Sequence, residues 1–170
     1  MRGLPTQSKT IRDRETKRGD SLMKILVIHG PNLNMLGKRE KSIYGEKTLA
    51  QINALLKKEA RALNIEVATF QSNHEGALID FIQEQANSAQ GIIINPGALT
   101  HYGFSLLDAL VDSKLPVIEV HLSDIYHREE WRAKSVIAPI AEKQIIGLGW
   151  RGYITALQTL AGELNAKPSR

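Results

Sequence analysis

Ile25-Leu26-Val27-Ile28-His29-Gly30-Pro31-Asn32-Leu33-Asn34-Met35-Leu36-Gly37-Lys38-Arg39-Glu40-Lys41-Ser42-Ile43-Tyr44-Gly45 joins an apolar run to a long polar loop. The run at 25–28 is short, continuous and rich in Ile and Val, the pattern of a strand buried on both faces. An amphipathic helix opens beyond the loop, near Thr48. Strand-to-helix connections in compact domains usually take only about 2 to 6 residues. This one is far longer and carries Asn32, Asn34, Arg39 and Tyr44. Ordering such a segment costs conformational entropy unless it binds or covers something. The loop reads as half of an active site together with a lid.

The alternation continues along the chain. Residues 66–70, 92–94, 117–120 and 144–147 are further short apolar runs that suit strands of a parallel sheet. Helical stripes lie between them. Leu49, Ile52, Leu56 and Leu63 share one face behind a capping box of Thr48 with Gln51. Ile79, Ile82 and Ala86 form a second stripe, opened by Ser72 with Glu75. Phe104, Leu107 and Val111 form a third, and Ile154, Leu157 and Ala161 a fourth. Five strands in a β-α-β-α rhythm predict a doubly wound α/β fold, a flavodoxin-like three-layer sandwich on a five-stranded parallel sheet. Residues 23–170 read as a single domain.

The 170 residues suffice to bury a core without staples. There is no cysteine, so a disulfide framework, a thiol nucleophile and a Cys-based metal site are excluded. That composition fits a reducing, cytoplasmic setting. No apolar stretch approaches the roughly 20 residues of a membrane span. The formal charge of +4 is concentrated at the start of the chain, where residues 1–22 hold six basic and three acidic side chains. The remainder is near neutral, with no basic cluster interleaved with aromatics of the kind that binds nucleic acid. Residues 1–22 lack periodicity and an apolar segment, and read as a disordered extension rather than a secretory signal. Met23 stands just before the first strand as a candidate start.

In a sheet of this kind, ligands bind beyond the carboxyl ends of the strands near the topological switch point. That rule selects residues 30–44, 71–75, 95–101 and 119–124. Glu119 and His121 sit two apart at a strand end and so point to one face. A carboxylate there can fix the imidazole tautomer and keep a proton available; the same pair serves as well as a structural contact. Tyr44 follows Arg39 on the loop. A guanidinium beside a phenol, whose reference pKa is about 10, favours the phenolate base. An ordinary surface Arg and a packed Tyr fit the same spacing. Asn95 and His101 can bind hydroxyls or a carboxylate, and equally serve as turn or helix-entry residues. Ser123 and the backbone after His121 offer donors to an anion. Arg132 can reach the same place or lie on a solvated helix face. His74 and His127 read as structural or surface residues, without metal-ligand spacing. Gly30-Pro-Asn matches neither a phosphate loop nor a dinucleotide fingerprint.

Five motifs then occur in order. They are Gly30-Pro-Asn-Leu-Asn34; Leu36-Gly-Lys-Arg-Glu40 with Tyr44-Gly45; Gln71-Ser-Asn-His-Glu-Gly76; Ile94-Asn-Pro-Gly-Ala98 with Thr100-His101; and Glu119-Val-His-Leu-Ser123 with Arg128-Glu-Glu-Trp-Arg132. Together they resemble the type II 3-dehydroquinate dehydratases, from about Met23 to Ala161. The resemblance implies trans elimination of water from 3-dehydroquinate through an enolate, without cofactor, metal or Schiff base. It implies Tyr44 as the base, Arg39 as its activator and Asn32 as the holder of a water at the enolate oxygen. It implies His121, oriented by Glu119, as the acid. Asn95, His101 and Arg132 would hold substrate hydroxyls, and the Leu122 backbone with Ser123 its carboxylate. Asp108 would reach a neighbouring subunit's site in a dodecamer of trimers.

Three positions depart from the family's pattern. Lys41 replaces a frequent proline, which loosens the lid; Gly103 replaces a common serine, which weakens a helix cap; Asp124 replaces a frequent asparagine, which adds a carboxylate near the expected anion site. The sheet pattern by itself also admits a different class of protein, a non-catalytic flavodoxin-like module that holds a nucleotide or flavin. The basic extension admits an acidic partner as a third idea.

Overall fold

The computed structural model of the chain describes residues 21–167. The expectation for residues 1–22 lies almost wholly outside that range. Ten elements carry the fold: β1 (Met23–His29), α1 (Lys41–Tyr44), α2 (Leu49–Ala62), β2 (Ile65–Gln71), α3 (Glu75–Gln85), β3 (Gly91–Asn95), α4 (Phe104–Ser113), β4 (Val117–His121), β5 (Lys143–Ile146) and α5 (Arg151–Ala166). The strands pair in parallel in the order β2-β1-β3-β4-β5. That is the flavodoxin-like order, with its switch point between β1 and β3.

Side-chain alternation along the strands divides the core in two. Ile25 and Val27 of β1, Ile93 of β3 and Ile118 and Val120 of β4 pack with Ile52 and Leu56 of α2 and with Tyr153, Leu157 and Leu160 of α5. Leu26, Ile28, Ile92 and Ile94 pack on the other face with Leu78 and Ile82 of α3 and Leu106 and Leu110 of α4. Each fully buried Leu or Ile stabilises the fold by about 1.5 to 3 kcal/mol relative to an exposed one. The central strands are buried on both faces as the sequence predicts, whereas the edge strands β2 and β5 are mostly only partly buried. An edge strand has a neighbour on one side only, and its apolar residues show it.

The Thr48–Gln51 capping box opens α2, with both reciprocal hydrogen bonds formed. Two other helix readings need correction. Ser72 does not cap α3 with Glu75: its hydroxyl accepts from the His74 N–H, and His74 is the N-cap. Glu75 instead reaches across to α4, where its carboxylate accepts the Leu106 N–H at 3.0 Å. A cap for α4 therefore comes from another helix. Gly103, which the sequence reading treats as a weakened cap, sits where an added Cβ would lie 2.7 Å from the Leu99 carbonyl oxygen. The second correction concerns α4 itself. Its buried face is Leu106, Ala109 and Leu110, while Phe104 and Val111 are 62% and 50% exposed. On α3 the buried pair is Leu78 and Ile82.

At the switch point the loops after β1 and β3 lock together reciprocally. A Cβ on Gly30 would lie 2.3 Å from the Pro96 carbonyl oxygen, and one on Gly97 2.9 Å from that of Pro31. Gly97 also has φ +59°, a conformation that glycine adopts without cost. The paired Gly-Pro and Pro-Gly turns thus hold the two loops at backbone contact and open the sheet's carboxyl end into a cleft.

Candidate active site

The cleft is lined by Pro31, Asn32 and Leu33 from the loop after β1 and by Arg39 and Tyr44 from its continuation. Asn95, Gly97, Ala98 and His101 come from the end of β3 and its following turn. His121, Leu122, Ser123, Ile125, Arg128 and Arg132 come from β4 and beyond. Its space, counting the open mouth, is about 600 Å³. The strand-end rule has gathered residues as far apart in sequence as Pro31 and Arg132. Of the sequence-derived candidates, nine line the cleft: Asn32, Arg39, Tyr44, Asn95, His101, His121, Leu122, Ser123 and Arg132.

Glu119 stands behind the wall rather than in it. It is fully buried, and its Oε1 accepts the His121 Nε2–H at 2.7 Å. The same carboxylate accepts hydrogen bonds from the Thr100 hydroxyl, from Ser135 Oγ at 2.9 and 3.0 Å, and from Gln144 Nε2 at 3.1 Å. Burial alone would raise its pKa, but hydrogen bonding and charge from His121, with Thr100 and Ser135, outweigh it and hold the carboxyl below its ordinary value. Among the described residues no buried side-chain nitrogen or oxygen lacks a partner. Among the described residues His121 Nδ1 has no hydrogen-bond partner, and His121 lines the cleft, so Nδ1 is the ring nitrogen available to a ligand.

Tyr44 is flanked by two guanidinium groups. Arg39 stacks on its ring, 3.7 Å from the centroid, and Arg128 Nη1 donates to its hydroxyl oxygen at 3.1 Å. Arg39, expected from the sequence as the activator of Tyr44, lies on the ring face, and Arg128 makes the hydrogen bond to the oxygen. Arg128 also lies 3.4 Å from Ser123 Oγ. It was overlooked because the 128–132 segment looked like a solvated helix face. In fact only Glu130–Arg132 form a 3₁₀ turn, with Arg128 in the bend before it, and the Arg128 and Arg132 side chains are 17% and 19% exposed. Two arginines four apart next to a strand end were the available signal.

His101 Nδ1 donates to the Lys134 carbonyl at 2.7 Å, and its ring meets Trp131 edge-on. A nitrogen facing a carbonyl carries the proton, which leaves Nε2 to accept from a ligand hydroxyl. Arg132 stacks on Trp131 and donates through Nε to Glu129 at 2.7 Å. Asn32 adopts the left-handed conformation, φ 68°, and its N–H donates to Asn73 Oδ1 at 2.9 Å. The 71–75 segment thus braces the loop without lining the cleft. Asp124 does not line it either. Its carboxylate accepts from the Tyr126 N–H and His127 Nδ1, and the His127 hydrogen bond first of all holds its pKa down. The expected carboxylate beside the anion site is occupied elsewhere. Asp108 is exposed on α4 and does not line this chain's cleft.

A doubly wound α/β domain with a guanidinium-flanked phenol and a carboxylate-held imidazole in one switch-point cleft has the equipment of an acid–base enzyme. The family model described as dehydroquinase class II matches residues 23–161, and the chain belongs to that family. A protein of Roseiflexus castenholzii named 3-dehydroquinate dehydratase is 61% identical over 146 residues, covering 86% of this chain and 93% of that one. The type II dehydroquinase of Butyrivibrio crossotus superimposes with a TM-score of 0.79 at 50% identity, covering 82% of this chain and 97% of its own. That of Propionibacterium acnes does so with the same score at 41% identity, covering 84% and 99%. These relationships favour the dehydratase over the flavin- or nucleotide-binding module.

Proposed function

We propose that the protein dehydrates 3-dehydroquinate to 3-dehydroshikimate as a type II enzyme, a hydro-lyase of the shikimate route to aromatic amino acids. One observation above all supports this: a phenol with two guanidiniums and a buried Glu–His pair share one cleft. Tyr44 takes the proton alpha to the ketone, and the electron pair moves onto the ketone oxygen as an enolate. Arg128 at the phenol oxygen and Arg39 on the ring face set positive charge beside the phenol while it acts as base. Asn32 holds a water against the enolate oxygen, an oxyanion-type role. The enolate then collapses and expels the hydroxyl, which His121 protonates so that water leaves. Glu119 keeps the imidazole oriented for that transfer. Asn95, His101 and Arg132 hold substrate hydroxyls; Ser123 and the Leu122 backbone hold the carboxylate. The ketone is itself the electron sink, so the steps call for no cofactor.

The reading includes assembly. Phe104, Asp108 and Val111 share the exposed face of α4, with exposed Tyr102 beside it. An apolar face surrounding one carboxylate suits a subunit contact that carries Asp108 into a neighbour's cleft, within trimers that build a dodecamer. The cysteine-free composition is compatible with the cytoplasmic setting the reading includes. The test is ultraviolet absorbance of the purified protein with 3-dehydroquinate in metal-free buffer. A rise from the conjugated enone, surviving borohydride added with substrate, supports the reading. A folded, assembled protein that gives no rise overturns it.

A further inference from the structure

The turn that carries Asn32 into the cleft is held from outside itself. Residues 30–33 form a β-turn closed by the Leu33 N–H, which donates to the Gly30 carbonyl at 3.4 Å. Asn32, its third residue, has φ 68° and ψ −3°, close to the values of a type II turn, and proline, here Pro31, is common at the second position of that turn. Asparagine enters the left-handed region more readily than most residues. The conformation still costs free energy, and it persists where the surroundings hold it.

Two side chains from the segment that ends β2 and follows it do the holding. Asn73 Oδ1 accepts the Asn32 N–H at 2.9 Å and a hydrogen of Gln71 Nε2 at 3.1 Å. Gln71 Nε2 also donates to the Gly30 carbonyl at 3.3 Å. The backbone partners decide which way each amide faces. The Asn32 N–H can only donate and the Gly30 carbonyl can only accept, so Asn73 presents its oxygen and Gln71 its nitrogen. On the other side of the Pro31–Asn32 peptide, the Pro31 carbonyl oxygen occupies space that a Cβ on Gly97 would contest at 2.9 Å.

A type I turn has the same closing hydrogen bond and differs by a flip of the central peptide, here Pro31–Asn32. The Leu33–Gly30 bond therefore does not choose between the two forms. The Asn73 contact does. A flip would take the Asn32 N–H from its acceptor and turn the Pro31 carbonyl toward Asn73 Oδ1, setting two acceptors face to face. It would also take Asn32 out of its present φ and swing its side chain to a new direction.

We infer that Asn73 is a positioning residue whose side-chain oxygen holds the Pro31–Asn32 peptide in the orientation that presents the Asn32 side chain to the cleft, with Gln71 holding Asn73 in turn. The inference rests on the reading that Asn32 keeps a water at the enolate oxygen. That oxygen gains its negative charge only as the enolate forms, so a misplaced Asn32 costs kcat and leaves KM alone.

Steady-state kinetics with 3-dehydroquinate on Asn73→Ala, Asn73→Asp, Asn32→Gly and the Asn73→Ala/Asn32→Gly double variant test this. Asn73 and Asn32 are both exposed, so all four proteins are expected to fold. Glycine at position 32 removes the side chain and adopts the left-handed backbone without cost. Asn73→Ala is expected to lower kcat by about three- to tenfold with KM within about twofold, the size of one neutral hydrogen bond and the signature of an interaction made in the transition state. Asn73→Asp keeps an oxygen for the Asn32 N–H and is expected to hold kcat within about twofold of wild type. The double variant is expected to match Asn32→Gly alone, because Asn73 acts through Asn32. Four results each overturn the positioning role by itself: a wild-type kcat in Asn73→Ala beside an impaired Asn32→Gly, a loss carried by KM, additive losses in the double variant, or an Asn73→Asp as slow as Asn73→Ala. A wild-type kcat in Asn32→Gly overturns it through the reading it rests on.

Discussion

Arg128 Nη1 lies 3.1 Å from the hydroxyl oxygen of Tyr44, across 84 residues of sequence. Arg39, only five residues from Tyr44, stacks on the ring instead. The two guanidiniums thus have separable parts: one contacts the oxygen, the other covers the face. Arg128→Met should lower kcat by about 10- to 100-fold, the worth of one charge-assisted hydrogen bond. A variant that keeps wild-type kcat removes Arg128 from the chemistry.

Tyr44→Phe tests the base more directly. General-base assistance is worth about 10²- to 10⁴-fold. The phenol is only partly buried, and the ring that packs against the core stays in place. Turnover should fall by at least the lower figure while the unfolding midpoint stays near wild type. Substantial remaining activity would sink the assignment.

The β-strands were legible because each is an apolar run between turn signals, and the strand-end rule then gathered the cleft. Glu119 and His121 were legible as a pair because strand alternation puts residues two apart on one face. The ring of donors around Glu119 was not, because Thr100, Ser135 and Gln144 come from three separate segments. Arg128 was not legible either, because its spacing to Arg132 suits a solvated helix face and its contact with Tyr44 spans 84 residues of sequence. The outward face of α4 was misread for another reason: Phe104, Leu107 and Val111 follow helical spacing as well as Leu106 and Leu110 do. Periodicity alone cannot say which of two apolar stripes meets the sheet. Asn32 and Asn73 carry no spacing signal, since their contact is made by the fold.

The outward stripe can be tested apart from folding. Phe104→Glu places a charge on a side chain that is 62% exposed in the single chain, so the domain should still fold. If that face joins subunits, light scattering will report a smaller assembly than wild type. Turnover per chain should fall as well, because Asp108 loses the neighbouring cleft it serves. An unchanged mass in solution would place the subunit contact elsewhere.

Lys41 opens α1, the one-turn helix that ends in Tyr44. Proline suits the first helical position, where its missing N–H removes no intrahelical bond and its fixed φ is already helical. The present lysine contributes only an exposed ion pair with Glu46 at 3.4 Å, which is worth little. Lys41→Pro should therefore stiffen the loop and raise stability by about 0.4 to 1 kcal/mol, read from the denaturant midpoint. Loss of stability would mean that the backbone at Lys41 does not accept proline's φ.

The buried histidine also gives the fold a pH dependence of known sign. His29 has its pKa lowered from 6.5 to about 4, mainly by burial, with the Asn53 hydrogen bond opposing the shift. Between those values the unfolded chain binds a proton that the native chain refuses. Stability is thus complete above about pH 6.5 and falls as the pH drops toward 4, by about 3 kcal/mol across the window. Glu119 acts in the same direction but lower on the scale: its pKa is held down in the fold, so its contribution is lost only below the ordinary carboxyl value of 4.5. His29→Asn removes the first effect and leaves the second. Urea unfolding at equal protein concentration, at several pH values from 7.5 to 4.5, should show wild type losing stability faster than His29→Asn. A stability gap between the two that does not change with pH would show that His29 does not enter the unfolding equilibrium as a buried neutral base.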